Sequence, residues 1–376
     1  MHDVLHEIRH WYARGEKFAL ATVVGTYSSA PRQPGAAMAV SLGGEAVGSV
    51  SGGCVEGAVY ELGNEVMASG DAMFQRYGVS DDDAFTVGLT CGGIIDMFVE
   101  PISPDLFPEF PDVLASIDAG EPVAVATIVG GQEKLGARLI LWPDRVAGTL
   151  GTARLDGVVT EDGRGQLSQG LTRIIRYGPL GERLGDDLSV FVQSFAPPPR
   201  MLVFGAIDFA AAVARAGKFL GYRVTVCDAR PIFATRKRFP EADEVIVEWP
   251  HRYLESQLAI EHALDSRTVI CVLTHDPKFD VPVLKLALKT EAAYIGAMGS
   301  RRTHHDRLDR LREEGISEEQ LARLFSPIGL DLGARTPEET AVSIAAEIIG
   351  TRWGGTGRML KTVEGAIHKD AEQLPS

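Results

Sequence analysis

The chain has 376 residues, 45% hydrophobic and 23% charged, and carries a formal net charge of −14. That is length enough for two domains and the balance of an ordinary soluble globular protein. The negative charge argues against a nucleic-acid partner, whose phosphates it repels.

Membrane and secretory classes are also disfavoured. No apolar run reaches the ~18 residues of a membrane span, and Met1-His2-Asp3-Val4-Leu5 lacks the basic segment of a secretory signal. Four cysteines, Cys54, Cys91, Cys227 and Cys271, make no disulfide framework in so long a chain. A reducing, cytoplasmic setting is expected.

In chain order, a helix is predicted near 3–14, a strand near 18–25, and short strands around 37–41 and 45–50. Cys54 is predicted to open a helix running to about Ala68, with Val55, Val59, Leu62 and Val66 on one face. Further strands are predicted near 94–99, 122–128, 136–142 and 188–194. This half reads as α+β, and no internal repeat is evident. Pro197-Pro198-Pro199-Arg200 then forms a stiff, extended boundary.

Beyond it strands and helices alternate. Strands are predicted at 201–204, 222–227, 244–247, 268–274 and 293–297, and helices near 208–220, 251–264, 278–289, 300–314 and 336–349. Thr336-Pro337-Glu338-Glu339 supplies the cap of the last helix. The alternation predicts a Rossmann-like doubly wound parallel sheet, with ligands at the carboxyl ends of its strands. The expected division is an α+β domain over 1–196, a Rossmann-like domain over 200–350 and a tail over 351–376.

Two cysteines stand in glycine-rich settings, Ser51-Gly52-Gly53-Cys54-Val55-Glu56 and Thr90-Cys91-Gly92-Gly93. Glycine beside a thiol leaves room for a ligand to reach sulfur and backbone N–H together. At a helix start, Cys54 gains free N–H groups and the positive dipole end. Glu56 has two readings, a proton acceptor for a ligand or an acidic residue favouring the helix start. For each cysteine the plain alternative is a tight turn around a small buried side chain. Zinc is disfavoured because neither cysteine has a second one two to four residues away, and no metal ligands are assigned. In the loop 27–35, Arg32 between two prolines is a candidate phosphate or carbonyl contact, the alternative being a surface loop.

The first turn of the second half reads Gly205-Ala206-Ile207-Asp208-Phe209-Ala210. A dinucleotide fingerprint has glycine where Ile207 stands, and Asp208 adds a charge that repels phosphate. NAD(P) or FAD in the usual pose is therefore disfavoured. Asp228, with Arg230 beside it, ends the second strand where such folds often hold a ribose. His275-Asp276 follows the fourth strand, and Ser300-Arg301 opens a helix as an anion seat. Each has a plain counterpart in a solvated turn or a helix cap. Cys227 and Cys271 lie within apolar strands, where packing explains them.

Together these segments resemble the xanthine dehydrogenase accessory factor family, XdhC/CoxI. The resemblance rests on Gly25-Thr26-Tyr27-Ser28-Ser29-Ala30-Pro31-Arg32, Gly48-Ser49-Val50-Ser51-Gly52-Gly53-Cys54-Val55-Glu56 and Cys91-Gly92-Gly93 in the first half. In the second half it rests on the segments 224–230, 273–276, 294–301 and 327–331. It implies a chaperone, rather than an enzyme, that transiently binds molybdenum cofactor and protects its sulfurated form. The cofactor then passes to a molybdenum hydroxylase. A cysteine desulfurase partner and a homodimer are also implied. Where the family commonly shows Gly-Ala-Gly-His, this chain has Gly205-Ala206-Ile207-Asp208, a departure in the second domain. The alternatives are a nucleotide-dependent oxidoreductase built on the second half, and a docking protein with no bound small molecule.

Overall fold

A computed structural model describes residues 1–27, 32–78, 93–131, 134–260 and 264–364. The chain divides into two compact units, Met1–Pro197 and Pro198–Ser376.

The first unit is a duplication. Its first copy runs α1 (Leu5–Ala13), β1 (Phe18–Tyr27), β2 (Ala37–Ser41), β3 (Ala46–Gly48), α2 (Glu56–Ser69), β4 (Met73–Tyr77) and β5 (Ile94–Ile102). Its second runs α3 (Phe110–Ala119), β6 (Val123–Gly130), β7 (Arg138–Leu141), β8 (Val146–Thr149), α4 (Ala153–Gln169), β9 (Arg173–Tyr177) and β10 (Leu188–Phe195). The sheets have matching strand orders, β3-β2-β1-β5-β4 and β8-β7-β6-β10-β9, and every pairing in them is antiparallel. The expectation of no internal repeat is corrected here. Gly48 and Gly148, Gly57 and Gly157, Gly63 and Gly163, and Arg76-Tyr77-Gly78 and Arg176-Tyr177-Gly178 all stand 100 residues apart. So few identities over so long a period leave the repeat faint in the sequence.

Strand alternation explains the layers. On β1, Ala19, Ala21 and Val23 face α2, while Phe18, Leu20 and Val24 face the other sheet. On β6, Ala124, Ala126 and Ile128 face α4, while Val123, Val125 and Val129 face back. The result is helix, sheet, sheet, helix, with α1 and α3 adding Trp11, Tyr12 and Phe110 to the middle core. Thr22, Thr127, Glu100 and Gln193 line a small cavity between the sheets, and Glu100 pairs there with Arg138.

The second unit contains β11 (Arg200–Phe204), α5 (Asp208–Phe219), β12 (Arg223–Asp228), β13 (Glu244–Val247), α6 (Pro250–Leu258), β14 (Val269–Val272) and α7 (Pro277–Ala287). β15 (Tyr294–Ala297), α8 (Arg301–Glu313), α9 (Glu318–Leu321), β16 (Leu324–Phe325) and α10 (Pro337–Trp353) complete it. Its sheet is ordered β13-β12-β11-β14-β15-β16 and is parallel throughout. This is the Rossmann-like doubly wound arrangement, with the strand order reversing between β11 and β14.

Met201, Val203, Val224, Val226 and Cys271 face α5 and α10. Leu202, Phe204, Cys227, Ile270 and Val272 face α6, α7 and α8. Both thiols belong to the core, and burial pushes each up to about 12. No described helix is long and apolar enough to cross a membrane.

Candidate functional site

Between β3 and α2 the chain forms a loop over residues 49–55. Cys54 was expected to open the helix, but α2 begins two residues later, at Glu56, with Val55 as its cap. Gly52 and Gly53 take φ of +79° and +116°, conformations that side chains resist. Both glycines are exposed, and a Cβ on either would meet nothing within 4 Å. Cys54 is half-buried and packs against the core formed by Val50, Val55 and Val59 beneath α2.

Glu56 organises this loop. Its carboxylate accepts the N–H groups of Val50 at 3.2 Å, Ser51 at 2.9 Å, Gly52 at 3.0 Å and Gly53 at 2.8 Å. The hydroxyls of Ser49 and Ser51 donate to it at 2.7 and 2.5 Å. Ser51 Oγ in turn accepts from the N–H groups of Cys54 and Val55 at 2.9 and 3.0 Å. Burial raises the carboxyl's pKa, but the bonds from Ser51 and Ser49 outweigh it and hold the group at about 2.

Two expectations change with this geometry. Glu56 is ionised at neutral pH and saturated with donors, so it is no proton acceptor in this arrangement. The glycine N–H groups point at Glu56, so they are not open to a ligand phosphate. Ser49 and Ser51 are additions to the site. Two hydroxyls, seven and five residues before an acidic residue and followed by a glycine pair, were the available signal.

The remaining candidates fall in several places. Cys91 and Gly92 lie outside the described residues, while Gly93 is buried just before β5. Arg32 pairs with Asp3 rather than standing open. In the second unit, Gly205 has φ of +111°, and a Cβ there would lie 2.8 Å from Thr274 Cγ2. The turns after β11 and β14 therefore touch at the strand-order reversal. Asp228, 2% exposed, accepts the Ala206 N–H at 2.7 Å. It also accepts Arg230 through its backbone N–H, Nε and Nη2 at 2.9, 2.9 and 2.7 Å. Gly205, Asp228 and Arg230 are thus brought together, but the carboxylate is already committed.

Ile207 caps α5 with no side-chain bond, and Asp208 pairs with Arg238 at 3.0 Å. His275 is exposed, and Asp276 caps α7 by accepting the Lys278 N–H at 3.1 Å. Ser300 caps α8 by accepting the Thr303 N–H at 3.1 Å, with Arg301 exposed beside it. Among the described residues, no group of three or more His, Cys, Asp and Glu is placed to hold a metal ion.

Comparison with known proteins follows the same division. A family model described as the XdhC Rossmann domain matches residues 201–348, and one described as the XdhC and CoxI family matches 11–78 and 116–178. The chain belongs to the XdhC/CoxI family. The two XdhC/CoxI segments fall one in each copy of the duplicated unit. The chain is 28% identical over 350 residues to a probable xanthine dehydrogenase subunit of Bacillus subtilis, covering 90% of this chain and 94% of that one. It is 27% identical over 339 residues to the molybdenum cofactor insertion chaperone PaoD of Escherichia coli, covering 90% and 84%. The crystal structure of a xanthine dehydrogenase from Bacillus halodurans shares the fold. Its TM-score is 0.64 at 23% identity, over 96% of this chain and 97% of that one. In this XdhC/CoxI chain only the first copy carries a cysteine on its loop, since Arg154 stands where Cys54 does in the other.

Proposed function

We propose that this protein is a molybdenum cofactor insertion chaperone serving a xanthine dehydrogenase-type molybdenum hydroxylase. The observation that carries the reading is the Cys54 loop, a half-buried thiol beside two open glycines in a chain of the XdhC/CoxI family. A thiol suits a soft metal–sulfur centre. In this reading the Cys54 thiol meets the metal end of the cofactor cargo, and Cys91 is a second candidate thiol for it.

The protein holds the cofactor transiently, keeps its sulfurated form from water and releases it to the target enzyme in the cytoplasm. It receives sulfur with the help of a cysteine desulfurase and works as a homodimer, an accessory factor rather than an enzyme. The parallel sheet favours one competing reading, a nucleotide-dependent oxidoreductase. Ile207 at the glycine position and the exposed Asp208 carboxylate oppose NAD(P) or FAD in the usual pose.

The test is anaerobic titration of the purified chain with molybdenum cofactor, followed by metal analysis of the protein fraction. The parent is expected to retain molybdenum, and Cys54→Ala to bind at least about tenfold more weakly, the equivalent of one good contact. Equal retention by both would remove Cys54 from the function.

A further inference from the structure

The two copies of the strand–loop–helix segment start their helices at different places. In the second copy α4 starts at Ala153, and Thr152 caps it by accepting the Leu155 N–H at 3.3 Å. Carried across by 100 residues, that start corresponds to Gly53. In the first copy the helix waits until Glu56, so Gly53, Cys54 and Val55 lie outside it. The turn that carries Arg154 on a helix carries Cys54 on a loop.

The acidic residue after the turn distinguishes the copies. Asp156 accepts the Leu150 N–H at 2.7 Å and the Thr149 hydroxyl at 2.7 Å. Glu56 makes the counterparts of both, to the Val50 N–H at 3.2 Å and the Ser49 hydroxyl at 2.7 Å. One methylene longer, it also takes the N–H groups of Ser51, Gly52 and Gly53. Gly52 and Gly53 adopt positive φ in this turn, where the second copy has Thr152 and Ala153 and only the preceding Gly151 at positive φ.

We propose that Glu56 is the positioning residue of Cys54. By taking the N–H groups of Gly52 and Gly53 it holds unwound the turn that is helical in the second copy, and so presents the thiol on a loop. The proposal deepens the chaperone reading and rests on it for its functional consequence. With the loop's N–H groups filled by a carboxylate, this end of the site receives a soft or uncharged part of a ligand, and the ligand's phosphate binds elsewhere.

The experiment is amide exchange at single-residue resolution on the full chain, comparing the parent with Glu56→Asp. The shorter side chain should keep the bonds that Asp156 makes and lose the rest. Exchange at Gly53 is expected to rise at least about tenfold, the loss of one charge-assisted hydrogen bond, and at Gly52 by less, because Ser49 Oγ also accepts that N–H at 3.1 Å. Exchange at Val50 is expected to change by less than about threefold. Alkylation of Cys54 by iodoacetamide, with Cys54→Ala as the blank, should change rate alongside.

Gly52 and Gly53 exchange within about threefold of the parent would overturn the proposal, as would an equal rise across the whole first unit. If Glu56→Asp does not fold, Glu56→Gln carries the same test, since a neutral oxygen of the same reach loses charge assistance at the two glycines. Local loosening with unchanged cofactor retention would uphold the positioning role and count against its consequence for cofactor binding. Lost retention in Cys54→Ala, with undisturbed glycine amides in Glu56→Asp, would overturn the positioning role and uphold the chaperone reading.

Discussion

Single side chains in this protein are mostly committed to one another, and that commitment sets their response to pH. Glu56 is the clearest case. Its carboxyl lies at about 2 in the folded chain against 4.5 in an unfolded one. The folded state therefore favours the ionised form, and its contribution to stability is fully present above pH 4.5. It fades as pH falls toward about 2, where the folded carboxyl takes its proton. Denaturant unfolding of the parent and Glu56→Gln should show a stability gap that narrows over that window. A gap constant from neutral pH down to about 2 would mean that the hydrogen bonds to Glu56 add nothing. The sequence marked Glu56 as chemically interesting, but an acidic residue at a helix start looks the same whether it serves a ligand or its own backbone. Asp228 is similar: its place at a strand end was legible, but its engagement by Ala206 and Arg230 depends on three-dimensional closure of the turn.

At the level of elements, the strands with strong apolar alternation were visible in the sequence and the duplicated pattern was not. The sequence reading assigns nothing between 142 and 188, where the structure has β8, α4 and β9. β8 and β9 are edge strands with mixed, partly exposed residues. α4 contains Gly157, Gly163 and Gly165, which weaken its helical signature. The glycines make sense once the copies are superposed by number. Gly48 ends the third strand of its copy and Gly148 stands one residue before the end of its own, with φ of +84° and +80°. A Cβ would lie 2.4 Å from the Ala37 carbonyl oxygen in one and 2.5 Å from that of Arg138 in the other. Gly48→Ala and Gly148→Ala should each destabilise by about 1–3 kcal/mol through forced left-handed backbone. Gly57→Ala is the contrast, since its site on α2 is open, and it should stabilise by roughly 0.5–1 kcal/mol. Urea midpoints decide: a Gly48→Ala protein as stable as the parent would mean that the third strand shifts without cost.

The whole molecule is organised around the change of architecture at the prolines. The first unit closes a core between two antiparallel sheets, and the second closes one core on each face of a parallel sheet. Every residue of the two second-unit cores lies at position 201 or beyond, from Met201 on β11 to Ile348 on α10. Both faces of that sheet are thus covered by helices of the same unit, as a parallel sheet requires. β11 sits at the centre of the sheet, bonded to β12 on one side and β14 on the other. None of its ladder partners comes from the first unit. A chain of residues 198–376 therefore contains everything its cores need, and nothing in its hydrogen-bonded sheet is missing. Expressed alone, it should unfold in one cooperative thermal transition with mixed helix and strand signals in the far ultraviolet. A fragment that is soluble but melts without cooperativity would mean that the parallel sheet depends on the first unit to hold its packing.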